Sequence, residues 1–131
     1  MFVWTRDALE MAFKWSSRKE EFVKRGGFVM MAEAALHLKT LSDHEFIPML
    51  KAIHRESADE RDFVRKAVNW ALRQIGKRNL RLNKLAIETA RGIEALGSSS
   101  ARWVARDALR ELRSSKVQTR LRNKVRRSWP R

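Results

Sequence analysis

Apolar residues recur along this chain at spacings of three and four, the period at which an α-helix keeps one face toward a core. Seven stretches follow it: residues 5–15, 18–38, 42–56, 59–77, 80–96, 99–113 and 115–126. Residues with capping chemistry stand between them. Ser16-Ser17 and Thr40-Leu41-Ser42 offer hydroxyls at two breaks, Ser57 to Asp59 is expected to open the fourth helix, and Gly97 followed by three serines reads as a C′ glycine and then an N-cap. Ser42 with Glu45 three residues later has the spacing of a capping box. The pattern predicts an all-α protein.

The helices are not independent of one another. Phe22-Val23-Lys24-Arg25, Phe63-Val64-Arg65-Lys66 and Trp103-Val104-Ala105-Arg106 share an aromatic, a valine and a basic residue three after the aromatic, at spacings of 41 and 40. The preceding helices keep the same offsets, with Leu9, Leu50 and Ala90 in one register and Ala12, Ile53 and Ile93 in another. A helix pair therefore repeats three times, at 5–38, 42–77 and 80–113. A two-helix unit of about 40–47 residues is the HEAT/armadillo signature, in which pairs stack into an α-α superhelix and bury one apolar ribbon. The expected organisation is a repeat domain over 1–113, then a basic C-terminal helix or tail over 114–131.

At 100° per residue, Phe63, Val64, Ala67, Val68, Ala71, Leu72 and Ile75 form a broad apolar arc on the fourth helix. The opposite arc carries Asp62, Lys66, Trp70, Arg73 and Lys77, which puts Trp70 at the edge of a basic stripe. Arg102, Arg106, Arg110 and Arg113 hold the equivalent stripe on the sixth helix, and Arg25 contributes from the second. Stacking in register makes these stripes neighbours. A charged helical face is commonly just a solvated one, and Asp107, Glu111 and Glu94 are within sequence reach to pair with some of the arginines. An indole beside cations adds a surface on which a base or ribose stacks.

Composition sharpens this. In 131 residues, 29 Lys and Arg against 15 Asp and Glu give a net charge of +14, a field that concentrates polyanions and speeds their encounter. Arg113, Lys116, Arg120, Arg122, Lys124, Arg126, Arg127 and Arg131 follow Glu111 with no further acid, so +8 of the +14 lies in that tail. Basic tails usually stay mobile and add nonspecific phosphate affinity, although Val117, Leu121 and Val125 would share one side of a short helix. There is no Cys, which removes disulfides and thiolate metal sites and suits a reducing cytoplasm. The longest apolar stretch, 26–36, is interrupted by Glu33 and too short to span a bilayer. His37, His44 and His54 lack metal-ligand spacing, and no phosphate-binding glycine loop or nucleophile motif is present. No cofactor, metal or membrane partner is expected.

The stretch Phe63-Val64-Arg65-Lys66-Ala67-Val68-Asn69-Trp70-Ala71-Leu72-Arg73-Gln74-Ile75-Gly76-Lys77 resembles the most recognisable helix of the HEAT-like DNA alkylation repair enzymes, the alkylpurine DNA glycosylases. Glu21-Phe22-Val23-Lys24-Arg25-Gly26-Gly27-Phe28 is similar to the repeat before it, and Ala101-Arg102-Trp103-Val104-Ala105-Arg106-Asp107-Ala108-Leu109 to a pattern near the C-terminus of some members. The resemblance covers essentially the whole chain and about the C-terminal half to three-fifths of a full-length member. It implies a surface that holds duplex DNA by its backbone at a modified nucleotide. Trp70 would pack on the deoxyribose, and Arg73 and Arg25 would contact phosphates. The implied reaction is hydrolysis of the N-glycosidic bond of an N3- or N7-alkylated purine, a cationic base that leaves readily. Protein groups would then stabilise the oxocarbenium sugar and position water.

The family's catalytic Asp lies on a helix upstream of the segment that resembles residues 2–15, so in this chain it would fall before Met1. Asp7 is the nearest candidate, in a helical first turn where an acid commonly stabilises the N-terminus. Three readings follow: a DNA-binding family member without the usual carboxylate, a noncatalytic HEAT-like scaffold for nucleic acid or an acidic partner, and an enzyme that has recruited Asp7 or Asp62. A cytoplasmic, nucleoid-associated location and self-association through the apolar N-terminal flank (Met1, Phe2, Val3, Trp4) are also expected.

Overall fold

The computed structural model describes residues 5–128, and each of the seven periodic stretches is an α-helix in it. They are α1 (Arg6–Ser16), α2 (Glu21–His37), α3 (Asp43–Glu56), α4 (Asp62–Gly76), α5 (Leu80–Glu94), α6 (Ser99–Leu112) and α7 (Ser115–Ser128). Among the described residues there is no strand. The flank Met1 to Trp4 lies outside them.

Contacts between helices reproduce the repeat. α1 packs on α2, α3 on α4 and α5 on α6, while α2 lies against α4 and α4 against α6, with α1 on α3 and α3 on α5 behind them. The first helices of the pairs thus form one layer and the second helices another, as HEAT-like stacking requires. Leu9, Leu50 and Ala90 are all buried, and so are Ala12, Ile53 and Ile93. The offset of about 40 residues seen in the sequence is therefore a real spatial register. One apolar cluster runs unbroken from Leu9 to Leu112, with Phe28, Phe46, Met31 and Met49 fully enclosed.

Two glycines shape the stack. At Gly27 a Cβ would stand 2.5 Å from the Ser16 nitrogen and 2.7 Å from the Ala12 oxygen, so the backbones of α1 and α2 touch there. α5 ends at Glu94 with Ala95 as its C-cap, two residues before the expected C′ glycine; Gly97, at φ +81°, turns the chain in the left-handed region, and Ser98 then caps α6 by accepting a bond from the Ala101 N–H.

Other ends differ from expectation. Ser42 precedes α3 but makes no side-chain cap bond; the Glu45 N–H donates to the Ser42 carbonyl, and its carboxylate turns to Arg6 at 3.7 Å. No capping box forms, because a charge on α1 takes the acid. α4 starts at Asp62 rather than 59. The Ser57 hydroxyl donates to the His54 carbonyl and closes α3, while Asp59 is held by Lys24 and Arg61 in the turn. Ser16 and Ser17 likewise close α1, donating to the carbonyls of Phe13 and Lys14, and α2 begins only at Glu21.

The tail after α6 is helical over Ser115–Ser128. Val117 and Leu121 of α7 are buried, and Gln118 Nε2 donates to the Asn83 side-chain oxygen at 3.0 Å and the Leu112 carbonyl at 2.7 Å.

Candidate nucleic-acid interface

α4 lies between α2 and α6, so its solvent-facing residues are the middle row of a three-helix surface. Lys66 is exposed, Trp70 is half-buried against the core cluster, and Arg73 and Lys77 are partly covered. On α6, Arg102, Arg106, Arg110 and Arg113 are all exposed; on α2, Arg25 is exposed with its guanidinium 5.5 Å from the Phe63 ring centre. Register and packing bring the basic rows of the three helices side by side.

The charges along this surface fall into two groups. Arg73 donates to the Asn69 side-chain oxygen at 2.8 Å and to Glu111 at 3.1 Å, with Asp107 at 3.8 Å. Lys77 reaches the same Glu111 at 3.3 Å, Arg106 pairs with Glu94 at 3.0 Å and Arg110 with Asp107 at 3.5 Å. Burial by itself would raise the Glu111 pKa, but the hydrogen bond from Arg73 and the charge of Lys77 outweigh it and hold the carboxyl below its ordinary value. Lys66, Arg102 and Arg113 form no ion pair among the described residues. Acids on α6 and α5 therefore answer part of the stripe and leave part unneutralised.

Phe63 departs from the core assignment made from sequence. It is 49% exposed and meets Phe22 with ring centres 5.4 Å apart. It sits about 100° from Val64, at the arc's edge, and so points between α2 and α4. Trp103, the third aromatic of the repeat, is also exposed, with the Arg65 guanidinium 4.9 Å from its ring centre. The recurring aromatic is thus a surface row laced with cations. Its signal was present in the 40-residue spacing, where it reads equally well as a core position.

Asp7 is exposed in the first turn of α1, behind the N-cap Thr5. α1 packs on α2 and α3, so Asp7 sits in the first-helix layer, apart from the α4 and α6 stripe. Asp62 is exposed and pairs with Arg65 at 3.0 Å. His37 lies 3.1 Å from Glu33, and among the described residues no three His, Asp or Glu side chains come together to hold a metal. No described helix is long and apolar enough to cross a membrane.

Fold and surface together define an all-helical repeat protein whose second-helix layer carries cations and aromatics. Residues 1–112 match the family model described as DNA alkylation repair enzyme, and the chain belongs to that family. No curated protein and no solved structure matches it significantly.

Proposed function

We propose that the chain grips the sugar–phosphate backbone of duplex DNA at alkylated purines with the second-helix layer. Lys66, Arg102 and Arg113 serve as the primary phosphate contacts, and Trp70 serves as the surface for deoxyribose. Family membership supports DNA as the target. The observation that carries the reading is the group of unpaired cations flanking a half-buried indole on adjacent helices. Arg25, Arg73, Lys77, Arg106 and Arg110 widen the footprint, the paired ones through the field they keep beside their carboxylates. A DNA-bound, cytoplasmic location goes with this role.

Excision is the weaker half of the activity. Hydrolysis breaks the C1′–N bond, the cationic purine leaves as a neutral base, and water adds at C1′ with loss of a proton. The sugar cation needs an available carboxylate, yet Asp107 and Glu111 are engaged by Arg73, Lys77 and Arg110, and Asp62 by Arg65. Binding without appreciable excision is the expected behaviour of these residues. The triple variant Lys66→Gln/Arg102→Gln/Arg113→Gln tests the interface: its duplex affinity should drop by about tenfold or more at low salt, and undiminished binding would end the assignment. Purine release from methylated DNA that disappears in Asp7→Asn would instead make Asp7 the catalytic carboxylate.

Self-association through the N-terminal end is the companion proposal, supported by the exposure of Met11 and Trp15 on α1. A sedimentation profile that stays monomeric at high concentration would exclude it.

A further inference from the structure

A cavity of about 820 Å³ lies where α7 faces the α2–α3 and α4–α5 turns. α7 is fixed over it by the Lys124 ammonium, which donates to the Arg78 carbonyl at 2.7 Å, and by buried Leu121. Six cations line the space, and their partners sort them. The Arg78 guanidinium is committed to the fold, donating to the carbonyls of Ala35, Leu38 and Leu41 above the Phe46 ring. Lys77 is paired with Glu111. Lys39, Arg120, Lys124 and Arg127 surround the same cavity without an ion-pair partner among the described residues. The single acid of the lining, Asp43, accepts a bond from Asn79 at 2.8 Å.

All four of these cations are exposed to solvent and so repel one another only mildly at rest, while an anion entering the recess would meet their combined field. Lys124, although exposed, feels its neighbours. Burial lowers the Lys124 pKa most, and the charges of Lys39, Arg78 and Arg120 lower it further. The lining has no aromatic ring for a base to stack on, so its chemistry is for phosphate rather than for a nucleobase. One phosphate would answer only part of four positive charges, and the volume falls in the range of ligand sites.

We propose that the cavity under α7 is a second anion site, which takes a run of adjacent phosphate groups on Lys39, Arg120, Lys124 and Arg127. Those phosphates have two chemical sources: a strand leaving the α4 and α6 surface, since Lys77 borders both places, or a free oligophosphate. The site itself does not depend on the DNA-binding reading; only the first source does.

Inorganic tripolyphosphate is the probe, titrated calorimetrically into the full chain at low salt. Saturable binding is expected, weakened roughly tenfold or more in Lys39→Gln/Arg120→Gln/Arg127→Gln and retained in Lys66→Gln/Arg102→Gln/Arg113→Gln. Lys124 is kept in the first variant because it anchors α7, and Arg120→Glu alone should show the same direction should the triple variant unfold. Absence of binding to the unaltered chain, or equal loss in both triple variants, overturns the proposal. Competition with a short duplex separates the sources. A strand is indicated by displacement and by a salt slope about 2.7 shallower in the cavity variant, a free oligophosphate by simultaneous binding and an unchanged slope. Duplex affinity that survives the Lys66/Arg102/Arg113 variant defeats the surface reading and leaves this site standing.

Discussion

Glu111 decides how much of the basic stripe is available. It faces Arg73 and Lys77 together, so it both anchors them and competes with any incoming phosphate. Glu111→Gln should raise duplex affinity several-fold in fluorescence anisotropy, at a stability cost of about 1 kcal/mol or less because the carboxylate is partly solvated. Unchanged or weaker binding would mean that Arg73 and Lys77 are wholly structural. Trp70 has the converse balance. Trp70→Phe keeps an apolar wedge against the core and should preserve the melting temperature while weakening binding, which distinguishes a recognition role from packing. Lys24 is a different kind of cation: it is buried, 2.7 Å from Glu56 and 2.9 Å from Asp59. Its hydrogen bonds with both acids overcome burial and raise its pKa. Hydrogen bonds from Arg61, opposed by burial and aided by Lys24, hold Asp59 well below the carboxylate range. Burial would raise Glu56, but the bonds from Lys24 and Arg55 lower it. Lys24→Met should cost about 1–3 kcal/mol, since both acids lose a buried partner while Asp59 keeps Arg61 and Glu56 keeps Arg55.

At the scale of elements, the sequence revealed which stretches are helical and how the pairs align, because both depend on apolar spacing. Buried Leu9, Leu50 and Ala90 keep the register that the spacing predicts. Helix starts were less legible. Ser42 and Asp59 have capping chemistry, but Arg6 draws Glu45 away from the first, and Lys24 and Arg61 occupy the second. Those partners lie 32 residues or more from their acids in all but the last case, beyond the reach of local pattern. The same limit applied to the stripe: its positions could be read, but not that Arg73 is bonded 38 residues away to Glu111. The α1–α2 contact makes the sharpest prediction at this scale. Gly27→Ala places a methyl against the α1 backbone and should destabilise by about 1–3 kcal/mol in urea unfolding. An unaffected midpoint would show that α1 shifts freely.

Across the whole molecule, pH should act chiefly through the Lys24 cluster. The folded pKa values of Glu56 and Asp59 lie below their ordinary ones, so their contribution is complete above the usual carboxylate range and is lost as pH falls from there through the lowered folded values. Lys24, raised above 10.5, contributes at every lower pH and loses its contribution as pH rises through its folded value. The stability gap between the unaltered chain and Lys24→Met should therefore be flat near neutrality and shrink in acid below about pH 4. A gap that widened in acid would contradict the cluster's assignment.

The turn between α3 and α4 has a consequence for how the molecule comes apart. Its Asp59 takes a bond from Lys24 of α2 through the carboxylate and one from the Ser100 hydroxyl of α6 through the carbonyl. Stacked repeats ordinarily fray from either end, each unit answering only to its neighbour. Here the first and third pairs are fastened to the same few atoms of the second, so loosening one flank slackens the other. Amides in α2 and α6 should then exchange with solvent at a common free energy, and Ser100→Ala should speed exchange in both. Separate responses of the two helices would show the stack unzipping one pair at a time.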